Sequence, residues 1–203
     1  MISIIIHASL LAFSLIVPLG VQNVFVFNQG AVQQRYVMAL PVVLTAALCD
    51  MILIALAVSG LSLVLLIQDS IRVLLTCGGI VFLIVMGRAT WRSEPAAAEE
   101  ENKPITMRKQ IIFAASVSLL NPHAILDTVG VIGTNSLQYT GQDKLVFAVT
   151  CMIVSLIWFT SLALAGRVIG RLDGSGRFIR IMNKLSAIMM WAIAVYMLVT
   201  LLL

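Results

Sequence analysis

What most confines this chain is how its charges are dealt out: no Asp, Glu, Lys or Arg occurs within residues 1–34, 36–49, 51–68, 73–87, 110–126, 145–166 or 185–203. Several of these runs are as long as the stretch of about 20 apolar residues that carries a helix across the hydrocarbon core of a bilayer. In lipid every backbone amide must be paired within its own segment, which leaves the helix as the natural conformation for such runs. Only 11% of the 203 residues are charged and 61% are hydrophobic, with a mean hydropathy of +1.06, far from the balance of a soluble domain. The fold class that follows is an all-α integral membrane protein.

Six transmembrane helices are predicted, over about 2–27, 37–67, 71–92, 108–132, 144–167 and 179–202. The opening Met-Ile-Ser-Ile-Ile-Ile has no Lys or Arg before Arg35, unlike a secretory signal, so the first run is expected to remain as a span. The connections alternate in charge. Arg35, then Arg88, Arg92, Lys103, Arg108 and Lys109, then Arg167, Arg171, Arg177, Arg180 and Lys184 fall on one side, while the other holds only Arg72 and Lys144. The positive-inside rule puts the richer side in the cytoplasm, so both termini are expected to be extracytoplasmic. The same rule accounts for a pI near 9.3 without any nucleic-acid partner.

The longest polar connection, SEPAAAEEENKPITM at 93–107, carries Pro95, Pro104 and the run Glu99-Glu100-Glu101, and reads as a flexible cytoplasmic linker. It divides the chain into a three-helix unit over 1–92 and another over 108–203. An odd number of spans per unit makes the second enter the membrane in the opposite sense, so related halves would be inverted repeats. Pro18 is followed five residues later by Asn23, and Pro122 five residues later by Asp127, a short internal match in keeping with that relation.

Two segments interrupt the apolar pattern: VPLGVQNVFVFNQG at 17–30 and NPHAILDT at 121–128. Proline removes a helical hydrogen bond and crowds the preceding turn, so helices one and four are expected to be kinked or broken at Pro18 and Pro122, with Gly20 easing the first bend. Carbonyls freed near residues 14 and 118 could hold a cation, and the N-terminus of each downstream half-helix could hold a carboxylate. A single kink is ordinarily packing. Two, each flanked by Asn and accompanied by Gln22, His123 and Asp127, point to a cavity, because so many polar groups are costly against lipid.

Asp50 falls near the centre of helix two and Asp127 within helix four, with no Lys or Arg at comparable depth in any span. An intramembrane acid costs about 2.5–3.5 kcal/mol on insertion scales unless it is protonated, paired or wet. A carboxylate that exchanges its proton for a cationic substrate meets that condition throughout a transport cycle. Asp50 and Asp127 are therefore the leading candidates for substrate recognition and proton coupling, with Asn23, Gln22, Asn121 and His123 beside them. Asn28 and Trp158 are candidates to line the cavity, although core packing is the safer reading of Trp158. Cys49, Cys77 and Cys151 sit in apolar runs without ligand spacing, so no metal site and no disulfide framework is expected. Gly166 and Gly170 have the small-residue spacing of close helix packing, which in some proteins forms a homodimer face.

Together, VPLGVQNVFVFNQG, Cys49-Asp50 and NPHAILDT closely resemble the LysE-type amino-acid exporters, nearest to the arginine and lysine exporters among them. The resemblance covers nearly the whole chain. It implies a multi-pass protein of the bacterial cytoplasmic membrane that exports basic L-amino acids by proton antiport, with no cofactor beyond the coupling ion. Carried over by residue, it points to Pro18, Gly20, Gln22, Asn23, Asn28, Asp50, Asn121, Pro122 and Asp127. Branches of that family that carry neutral amino acids or metal ions keep two rival readings open. An intramembrane thiol oxidoreductase and a non-transporting scaffold are the rivals outside transport.

Overall fold

The computed structural model describes residues 1–17, 20–33, 35–60, 69–92, 106–119, 125, 128–172 and 177–202. Within them the regular structure is helical: α1 (Ile2–Ile16), α2 (Val21–Val32), α3 (Leu40–Val58), α4 (Asp69–Arg92), α5 (Met107–Leu119), α6 (Gly141–Leu172) and α7 (Arg177–Leu202). A 3-10 turn, Tyr36–Ala39, leads into α3, and a π-helical segment, Thr128–Gly133, leads into the single turn Thr134–Ser136 before α6.

The first predicted span is two helices whose axes differ by 82°. Pro18 and Leu19 lie outside the described residues, but Gly20 is in extended backbone at φ −82° and ψ 176°, where no helix can run through it. Helix two was expected to reach residue 67; α3 instead stops at Val58. Gly60 adopts φ +78°, a left-handed conformation that closes a helix at little steric cost only when the residue is glycine. The amide of Gly60 bonds back to the carbonyl of Ala57 at 3.2 Å. At its other end α3 begins with Pro41 in the first turn, where a missing N–H is harmless.

Tyr36–Val58 and Gly141–Arg171 are each long and apolar enough to cross a membrane, and the bent pair α1–α2 passes the same test taken as one span. The 31 residues of Gly141–Arg171 make a helix about 46 Å long, so α6 must tilt or reach into the headgroup layer, where Arg167 and Arg171 suit its final turns. α6 is the element around which the others are arranged, packing on α1, α2 and α3. One apolar cluster joins Ile4, Ala8 and Ala12 of α1 to Phe147, Cys151 and Val154 of α6. Another joins Val26 of α2, Val42, Val43, Ala46 and Ala47 of α3, Ala114 of α5, and Phe159 and Ala163 of α6. α4 pairs with α7 and meets the rest through Val21, Val117, Leu83 and Met190.

The α2–α6 crossing is set by glycine. A Cβ on Gly30 would fall onto the backbone of Ala163, one on Gly166 onto the carbonyl of Phe27, and one on Gly170 would come within 2.8 Å of Ala31. The spacing of Gly166 and Gly170 thus serves packing within the chain, where small residues let two backbones approach. Gly166→Ala is expected to destabilise the protein by about 1–3 kcal/mol, the usual cost of overpacking, seen as a lower Tm in detergent micelles. Gly78→Ala is the control: its Cβ would meet nothing within 4 Å, so Tm should not fall.

Candidate functional site

The break before Val21 places Gln22 and Asn23 in the first turn of α2, at a helix start that no side chain caps. Gln22 Nε2 donates to Asp50 Oδ1 at 3.2 Å, across from α2 to α3. Ser155 Oγ, on α6, donates to Asp50 Oδ2 at 2.9 Å. Among the described residues each carboxylate oxygen thus has one side-chain donor, and both donors are neutral. An ionised carboxylate has about four acceptor sites, so Asp50 retains the capacity for further N–H donors.

Asn23 is 5% exposed and works in both directions. Its Nδ2 donates to the carbonyl of Ile16 at 2.6 Å, and its Oδ1 accepts from Trp158 Nε1 at 3.2 Å. In an unbroken helix the Ile16 carbonyl would have bonded to the amide of Gly20. The break frees it, and the amide side chain of α2 ties the end of α1 back across the gap. The sequence places the freed carbonyl near residue 14; the one that the structure puts to use is Ile16, because the extended residue is Gly20. Trp158 is thus positioned by Asn23 on one side and by an edge-to-face contact with Phe13 of α1 on the other, at 6.4 Å between centroids and 85° between planes.

Gln22, Asn23, Asp50 and Trp158 are in this way drawn into one constellation from α2, α3 and α6. Asn28 is not part of it: its Nδ2 donates to Asn183 Oδ1 at 2.6 Å, joining α2 to α7. Gly20 lies at the break itself, but a Cβ there would meet nothing within 4 Å, so it makes no close helix approach. Asn121, Pro122, His123 and Asp127, like Pro18 and linker residues 93–105, lie outside the described residues.

Ser155 is the member that sequence reasoning missed. Hydroxyls in membrane helices commonly bond to the carbonyl one turn back, as Thr150 does to Val146 and Thr160 to Leu156, each at 2.7 Å. Nothing in composition separates Ser155 from them. The usable signal is spacing: Ser155 precedes Trp158 by three positions, so the two share a helix face.

Interrupted helices are a common setting for substrate sites in secondary transporters. Residues 13–201 match the family described as LysE type translocator. The chain belongs to that family. Among its relatives, "Putative amino-acid transporter YisU" of Bacillus subtilis (strain 168) is 53% identical over 192 residues, covering 95% of this chain and 87% of that protein. "Arginine exporter protein ArgO" of Pectobacterium carotovorum subsp. carotovorum (strain PC1) is 32% identical over 198 residues, covering 96% of each chain. The protein of the same name from Serratia proteamaculans (strain 568) is 32% identical over 198 residues, covering 96% of this chain and 95% of its own. No solved structure matches the chain. Membership in the LysE-type translocators, together with helices long and apolar enough to span a bilayer, makes this an integral membrane transport protein.

Proposed function

We propose that this LysE-type translocator is a secondary active exporter of cationic L-amino acids, arginine or lysine, that exchanges them for protons by alternating access. The observation that carries the reading is Asp50, an acid within a membrane-spanning helix whose described side-chain partners, Gln22 and Ser155, are both uncharged. Such a group needs a positive charge from elsewhere, and a proton and a guanidinium or ammonium are alternative suppliers. Relatives named as arginine exporters over nearly the whole chain support the choice of substrate.

In the cycle that we infer, cytoplasmic substrate displaces the proton of Asp50 and is held by the carboxylate, with Trp158 as an aromatic wall. Export of a monocation against a potential negative inside costs about 2.3 kcal/mol per 100 mV, and an incoming proton offsets that electrical term. Six spans in two inverted three-helix halves, with both termini outside the bacterial cytoplasmic membrane, give the cycle its geometry. In this scheme Asp127 is the second-half counterpart, five residues beyond Pro122 as Asn23 is beyond Pro18.

The test is uptake of radiolabelled arginine into inside-out vesicles under an imposed pH gradient, with unlabelled arginine, lysine and leucine as competitors. Accumulation that collapses with the gradient and is competed by lysine but not leucine is the expected result. Competition by leucine alone, with no arginine uptake, would overturn the cationic assignment in favour of a neutral substrate.

A further inference from the structure

α2 and its C-terminal cap carry two glutamines, Gln29 and Gln33, that the site does not use. Gln22, Gln29 and Gln33 fall within about 40° of one another around the helix axis, and the stripe they form is about 16 Å long. Gln22 is the donor to Asp50. Gln29 and Gln33 are 4% and 5% exposed, and Gln33 Nε2 donates to Gln29 Oε1 at 3.0 Å. Val26, between them on the same face, is fully buried in the cluster with Val42 and Val43 of α3. Two long uncharged amides are thus enclosed where leucine or methionine would fill the space without the cost of desolvating polar groups. The stripe starts at the carboxylate and stops beside Arg35, the residue that marks the cytoplasmic side.

We propose that Gln29 and Gln33 form an amide-lined station on the cytoplasmic leg of the substrate path, which takes the polar head group before Gln22 passes it to Asp50. This deepens the export reading and rests on it. The chemistry suits a relay. An amide oxygen accepts N–H from an ammonium or guanidinium, and an amide nitrogen donates to a carboxylate, so one pair serves both ends of an amino acid. Being neutral, the amides hold a cation less firmly than Asp50 does, and a station on a path must bind weakly enough to release. The bond between Gln33 and Gln29 closes the station while it is empty, and a head group replaces it.

The experiment compares Gln29→Met and Gln33→Met with wild type in arginine counterflow, presenting substrate to the cytoplasmic face in inside-out vesicles and to the external face in right-side-out vesicles. Methionine keeps the length and removes the hydrogen bonds. The expected result is a KM raised about tenfold from the cytoplasmic face, as for one lost hydrogen bond to a charged group, with the external KM within about twofold of wild type. An unchanged KM from both faces, or an equal rise from both, overturns the station and makes the pair a structural tie. If the methionine variants fail to insert, Gln29→Glu decides: a carboxylate at the station should lower the cytoplasmic KM for arginine, and no change sinks the idea. Wild type that carries leucine but not arginine defeats the cationic reading alone, and the two-face comparison of the methionine variants is then made with leucine.

Discussion

Asp50→Asn is expected to abolish gradient-driven arginine accumulation in inside-out vesicles, with arginine affinity lowered at least about a hundredfold at matched protein levels. Asparagine has nearly the same shape, and its oxygen can still accept from Ser155, whose hydroxyl now lies 2.9 Å from Asp50 Oδ2. Loss of fold is therefore a poor explanation for the defect. The charge goes, and the NH2 that replaces Oδ1 is met by Gln22 once its amide turns to present its oxygen. Removing one partner of a buried ion pair typically costs about 3–5 kcal/mol, which is the origin of the hundredfold figure.

The same substitution separates binding from coupling. An amide side chain does not ionise and so cannot take up and release a proton in the cycle, and any residual arginine movement through Asp50→Asn should run only downhill and ignore the pH gradient. Accumulation equal to wild type would sink both roles of Asp50 at once. Normal binding with lost coupling would instead assign the proton to Asp50 and the substrate charge to another acid, for which Asp127 is the sequence's remaining intramembrane candidate.

Legibility in the sequence followed what lipid penalises. Apolar runs had to be helices, and Gln22, Asn23 and Asp50 stood out because polar side chains at that depth need a reason. Their pairing did not stand out, since which amide meets which acid depends on how α2 lies against α3 and α6, and the α2–α6 crossing rests on close contacts at Gly30, Gly166 and Gly170. The end of α3 was hidden for a different reason: residues 51–68 are uncharged throughout, so hydropathy continues past the point at which Gly60 turns the backbone left-handed. Asn28 was grouped with the cavity by its place in the motif, yet it lies about 120° around α2 from Gln22 and reaches α7 instead. Gln29 and Gln33 were passed over because glutamine near the end of a span looks like an ordinary interfacial residue until its burial is known.

Ser155→Ala is expected to lower kcat/KM for arginine about tenfold to a hundredfold while leaving the amount of folded protein in the membrane unchanged. Ser155 is fully buried on α6 and donates to Asp50 Oδ2, whereas Gln22 holds Oδ1 from α2. The two donors fix the plane of the carboxylate between two helices, and a hydrogen bond to a charged group is worth about 1.5–3 kcal/mol. Alanine leaves only the space of one oxygen atom, so a packing defect is small. Ser155→Thr is the diagnostic companion, because it restores the hydroxyl and should recover most of the lost kcat/KM. Recovery by threonine identifies a hydroxyl that positions Asp50. If alanine transports as well as serine, the bond is incidental and Gln22 suffices. If threonine fails as badly as alanine while both variants insert normally, the site is sensitive to volume, and Ser155 acts through the α3–α6 packing and not through its hydrogen bond.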